Sequence, residues 1–167
     1  MPYPSNVEPP IRREETADKI IAGQAYGVLY TQTIGGAAQG QYCLSIFNPS
    51  ESGKIVRVTS IKTMVNYGNT TTWIYLNSAD PAYNTDLSSA IVNFKGGGPP
   101  SVLGNKVTAN SASTSFPSSG NVDMAVSTPE LISNGMFYER PPGYGLNVLV
   151  FVGNSQEYAI AIKWLEI

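Results

Sequence analysis

The sequence predicts an all-β protein: an antiparallel β-sandwich of jelly-roll type, preceded by an extended N-terminal arm. Three observations predict it. Short runs rich in branched and aromatic residues recur from Gly23 onward. Turn signals of Gly, Pro, Asn and Ser separate those runs. Only "REETADKII" has a composition suited to a turn or two of helix. Many short strands with almost no helix point to a closed or double-sheet all-β architecture.

Residues 1–22 form the arm. Four of the twelve prolines lie there, Pro2, Pro4, Pro9 and Pro10, and proline fixes φ and removes a donor. "PYPSNVEPP" is therefore expected to be extended rather than part of a sheet. Seven charged residues fall between Glu8 and Lys19. Two readings stand: a disordered tail, or an arm that orders on a neighbouring subunit.

Residues 23–167 form the sandwich. "GVLYTQTI" and "QYCLSIFN" read as strands joined by a Gly-rich loop. In "KIVRVTSIKTMVNYG", Val56 and Val58 share one parity while Ile61 and Val65 share the other, so a β-bulge is expected midway. "TTTWIYLN" reads as the next, antiparallel strand, and "SAIVNFKG" as a further short one. Residues 96–121 are dominated by Gly, Ser and Pro and read as a long loop, of a length that is usually functional or interface-forming. "VDMAVSTPELI" and "GMFYERPPG" follow. The final runs "LNVLVFV" and "EYAIAIKWLEI" alternate cleanly around Gly153-Asn154, which predicts a central β-hairpin. Just before them, Pro141 to Gly145 pack two prolines and two glycines into one turn.

The totals narrow the function classes. The 167 residues suit a single domain. A net charge of -2 predicts no bulk attraction to nucleic acid or to an anionic membrane. Charged residues are only 13%, against about 25% in ordinary domains, which suits a subunit packed against others or a binding module. No run has the length of a membrane span and the first residues lack a signal-peptide core, so a soluble protein made in the cytosol is expected.

The catalytic inventory is thin. The chain has no histidine, which removes Ser-His and Cys-His nucleophile pairs and histidine metal ligands. The single cysteine, Cys43, sits in a strand-like run and is expected to be a small buried hydrophobe. Asp80 and Asp86 flank "DPAYNTD", which could serve calcium but reads first as turn chemistry. No acid pair points to glycosidase chemistry. "NPSESGKI" and "GGGPPSVLG" lack the strand-loop-helix context of a phosphate loop. No cofactor and no metal are expected. Tyr67, Trp73, Tyr75 and Tyr83 lie close in sequence and offer a platform for sugar rings, although core or interface packing is the preferred role for such aromatics.

Three patterns together suggest a family. They are "LSIFNPSESGKIVRVTSIK", "TTTWIYLNSADPAYNTDL" and the ending "ERPPGYGLNVLVFVGNSQEYAIAIKWLEI". Over roughly residues 40–167 the chain resembles small β-sandwich virion proteins of tailed bacteriophages. That resemblance implies a non-enzymatic structural subunit of capsid decoration, cement or head-fibre type, assembled in the host cytoplasm. It implies other virion proteins as partners and a homo-oligomer, often a trimer. Tyr3, Pro9, Pro10, Ile11, Arg12 and Arg13 of the arm, with Glu139 and Arg140 before the proline-glycine turn, are the candidate partner contacts. The alternative is a tail, baseplate or adhesin protein whose sandwich binds carbohydrate through Tyr67, Trp73, Tyr75 and Tyr83.

Overall fold

The computed structural model describes residues 17–35, 40–66, 72–112 and 138–167, and the backbone of 121–126. Among the described residues, 17–21 form one short helix, α1, and every other long element is a strand. The strands are β1 (Ala25–Thr33), β2 (Gly40–Phe47), β3 (Val56–Val65), β4 (Thr72–Asn77), β5 (Thr85–Asp86) and β6 (Val92–Asn93). They continue as β7 (Val107–Ala109), β8 (Asn121–Val126), β9 (Tyr138–Arg140), β10 (Gly145–Val152) and β11 (Glu157–Glu166).

Two antiparallel sheets result. Sheet A has the order β6-β1-β11-β3-β9, and sheet B the order β5-β7-β2-β10-β4-β8. Without β5, β6 and β7, the orders are β1-β11-β3-β9 facing β2-β10-β4-β8. That is the double-sheet winding of a jelly roll. The three short strands belong to the connection between β4 and β8, and they extend both sheets beyond β1 and β2.

The core follows from alternation. Leu146, Val148, Val150 and Val152 of β10 point inward from sheet B, and Tyr158, Ile160, Ile162 and Trp164 of β11 point inward from sheet A. All eight are buried. Trp164 stacks on Tyr26 at 6.0 Å between ring centroids, and Tyr158 meets Tyr42 across the sheets at 5.1 Å. Full burial of such side chains stabilises by about 1.5–3 kcal/mol each.

The expected hairpin of the last two runs is not formed. β10 pairs with β2 and β4, whereas β11 pairs with β1 and β3. The turn at residues 153–156 is an arch from one sheet to the other. The alternation is the same in either case, because both runs aim their apolar parity at one interior. The expectation that both strands are central holds. β3 and β4 likewise lie in opposite sheets rather than pairing with each other. Their inward hydroxyls, Thr63 Oγ1 and Thr72 Oγ1, meet at 2.9 Å across the core.

The bulge in β3 is present. Ser60 pairs with Lys163 and Val58 pairs with Trp164, which leaves Thr59 as the extra residue. It returns Val56, Val58, Ile61 and Thr63 to the same buried face.

The stretch expected to be a long loop over 96–121 is partly ordered sheet and core. Leu103, Val107 and Ala109 are buried, and β7 pairs with both β2 and β5. The "SAIVNFKG" stretch gives only the two-residue β6, after a 3₁₀ turn at Ser88–Ala90. Residues 1–16 of the arm lie outside the described residues.

The turn before β10 shows why its composition is special. Tyr144 N donates to Pro141 O at 3.1 Å, with Gly143 at φ +84°. Pro142 and Gly143 thus occupy the central positions of a type II turn. A Cβ on Gly145 would sit 2.8 Å from Ile46 O and 2.9 Å from the Phe47 ring, so only glycine admits this approach of β10 to β2.

Candidate functional surfaces

The chemistry-bearing side chains are held in local structural roles. Asp80 Oδ1 accepts from Ala82 N at 2.9 Å, and Asp80 Oδ2 pairs with Lys106 Nζ at 2.9 Å. That hydrogen bond, reinforced by the charge, raises the pKa of Lys106. Asp86 Oδ1 accepts from Ser88 N at 2.8 Å. Both aspartates therefore cap turns. Among the described residues no cluster of three or more potential metal ligands occurs. Cys43 is buried, and burial pushes its thiol up to about 12. A thiol so shifted is almost wholly protonated near neutrality and is a poor nucleophile.

The outer face of sheet B carries the aromatic candidates. Tyr75 is buried and Trp73 and Tyr83 are half-buried; all three pack around Cys43 and Leu149. The structure thus brings together three of the four proposed platform residues, and Tyr67 lies outside the described residues. Tyr83 arrives on a crossing segment. The chain leaves β4 at Asn77 and enters β5 at Thr85, on the far side of β10, β2 and β7. Residues 78–84 therefore strap the outer face, with Tyr83 packed against Cys43 and Leu149. Burial is the main cause of the raised Tyr83 pKa.

The same outer face carries a buried polar row that the sequence did not announce. Asn147 pairs with Ser45, Ser45 with Thr108, and Thr108 with Asp86, in register across adjacent strands. Their side chains share the outward parity of Cys43 and Leu149. Asn147 is 1% exposed, Ser45 0% and Thr108 5%. Asn147 Nδ2 and Oδ1, Ser45 Oγ and Thr108 Oγ1 have no hydrogen-bond partner among the described residues.

The outer face of sheet A is different. Leu29, Val92 and Phe94 are exposed there, and with Ala161 they line a shallow groove over Gly27. Met64, on the same outward parity of β3, is exposed as well. The Lys163 ammonium lies 5.5 Å from the Phe94 ring centre, at the groove's edge.

One end of sheet A is fastened by a buried carboxylate. Glu166 Oε1 accepts from Ser101 Oγ at 2.5 Å, Val102 N at 3.0 Å and Trp164 Nε1 at 3.3 Å. Burial raises its pKa, and these hydrogen bonds pull it partly back. Nearby, Asn93 Nδ2 donates to Gly23 O and Pro99 O, both at 2.9 Å. The Trp-x-Glu ending thus has a structural use: it fastens the connection between β4 and β8 to the last strand.

The proposed contact residues are distributed as follows. Glu139 is exposed on the edge strand β9 and pairs with Arg57, Arg57 Nη2 standing 2.7 Å from Glu139 Oε1. Arg140 is half-buried over the Tyr144 ring at 5.6 Å, and burial lowers its pKa. Its carbonyl accepts from Asn48 Nδ2 at 2.9 Å, which also donates to Lys54 O at 2.8 Å. Asn48 thereby ties the β2–β3 turn to the strand before the proline-glycine turn. Tyr3, Pro9, Pro10, Ile11, Arg12 and Arg13 lie outside the described residues.

No protein-family model, curated protein or solved structure matches the chain.

Proposed function

We propose that this chain is a non-enzymatic structural subunit of a tailed-bacteriophage virion, of capsid decoration, cement or head-fibre type. It works by burying surface between subunits and is assembled in the host cytoplasm. The observation that carries this reading is the exposed apolar groove of Leu29, Val92, Phe94 and Ala161 on sheet A. An exposed apolar patch of this kind is the sort of surface that subunit contacts use. A sequence without histidine and poor in charge supports packing rather than chemistry. The arm, with Tyr3, Pro9, Pro10, Ile11, Arg12 and Arg13, adds a second reach toward a neighbour by strand or polyproline contacts. The partners are further copies of the chain, as a homo-oligomer of trimer type, and other virion proteins.

The test is to weigh the protein in solution as the wild type, as Leu29→Glu and without residues 1–22. Each is then co-sedimented with assembled capsids and tails. The expected result is an oligomer or a particle-bound wild type, and weakened association in both variants. A wild type that stays monomeric and binds neither particle overturns the reading.

A further inference from the structure

We propose that the outer face of sheet B is a closed binding site for a neutral saccharide, with Asn147, Ser45 and Thr108 as its floor and residues 78–84 as its cover. This stands apart from the subunit contacts on sheet A.

The starting point is the polar row. Its side chains lie on three adjacent strands, spaced by about 4.8 Å in the hydrogen-bonding direction. Each is more than nine-tenths buried, and four of the row's polar atoms have no partner among the described residues. Buried polar groups are almost always paired, so a contiguous set without partners calls for an explanation beyond packing. Alanine and valine would fill the same positions under the strap without that cost.

The chemistry of the row selects the ligand class. Serine and threonine hydroxyls and the asparagine amide each donate and accept, and none is charged. An anion would need donors and positive charge, and a cation would need carboxylates facing it. The one carboxylate in register, Asp86, is exposed and engaged by Ser88 N. Groups that donate and accept in equal measure match the hydroxyls of a sugar. Tyr75 lies opposite Asn147 on β4, and Trp73 lies opposite Leu149 two residues along; together they supply flat apolar faces for the ring. A largely apolar wall with a few convergent polar groups is the usual make-up of a small-molecule site.

The cover is built to come away. Its charged tether, Lys106 to Asp80, is only partly buried, and the contact of Asn84 Nδ2 with Ser111 Oγ at 3.0 Å is exposed. Ala82 adopts φ +46°, a conformation that disfavours residues with a Cβ. Tyr83 is the plug, seated on Cys43 and Leu149. Displacing the strap uncovers the row and the two β4 aromatics together.

The experiment is a panel of neutral mono- and oligosaccharides screened on a glycan array, with hits titrated calorimetrically. Asn147→Ala and Ser45→Ala are expected to weaken binding at least tenfold. Tyr83→Ala and Lys106→Ala are expected to tighten it several-fold, because a partly open strap removes the cost of opening. Tyr83→Phe keeps the ring should Tyr83→Ala misfold, and circular dichroism checks each variant. Binding unchanged in Asn147→Ala and Ser45→Ala overturns the proposal. So does a folded loosened-strap variant that binds no saccharide of the panel. Neither result bears on oligomerisation or particle association, which report on sheet A and the arm.

Discussion

The hydroxyl of Ser101 donates to the carboxylate of Glu166 at 2.5 Å, joining residues 65 positions apart at one end of sheet A. Burial raises the Glu166 pKa above its ordinary value of 4.5 in spite of this bond. The folded state therefore holds the proton more tightly than the unfolded chain. The resulting stability is fully present below the unfolded pKa and is lost as pH rises through the folded one. Glu166→Gln keeps an acceptor toward Ser101 and removes this titration. Wild type and variant are expected to have matching melting temperatures at low pH. The variant pulls ahead toward neutrality, as thermal melts across pH 4–8 will show.

The turns around β10 make a second prediction. Asn48→Ala removes donors to Lys54 O and Arg140 O. It is expected to lower the unfolding free energy by about 1–3 kcal/mol in urea titrations. Gly145→Val is expected to cost at least as much, because the new side chain meets the Ile46 carbonyl within 3 Å. A folded, assembling Gly145→Val protein with a specific ligand defect would contradict the structural role assigned to this turn.

The polar row should behave oppositely to ordinary core residues. Ser45→Ala and Thr108→Val each remove a buried hydroxyl that has no partner among the described residues. Each is expected to raise the unfolding free energy by about 1 kcal/mol, measured by urea denaturation. Loss of stability in both would show that the hydroxyls are satisfied in solution.

Cys43 reports on the strap. Its thiol is buried and pushed up to about 12 by desolvation, so a thiol reagent at pH 8 is expected to react slowly with the wild type. Tyr83→Ala is expected to accelerate labelling by at least tenfold, followed by absorbance with a chromogenic disulfide.

Much of this architecture was legible. The alternation of Leu146 to Val152 and of Tyr158 to Trp164 marked the two core strands, and the parity change after Val58 marked the bulge at Thr59. Sheet membership was not legible there. A run that alternates records which side faces inward, and it says nothing about whether its neighbour lies beside it or across the core. The same limit hid the β3–β4 crossing. Within residues 96–121, Val107 to Ala109 is too short a run to stand out from its Gly-Ser surroundings, and its pairing with β2 is a tertiary effect. The aromatic trio was visible because its members are near in sequence. Asn147, Ser45 and Thr108 are far apart in sequence, and only strand register makes them neighbours.

The arch at residues 153–156 also sets an order of events. β11 pairs with both β1 and β3, and β10 pairs with both β2 and β4. Each sheet is thus two early fragments with a missing middle until residues 145–166 are made. A nascent chain on the ribosome therefore cannot complete either sheet in advance. Its early strands must wait, with open edges, for the segments that fill the gap.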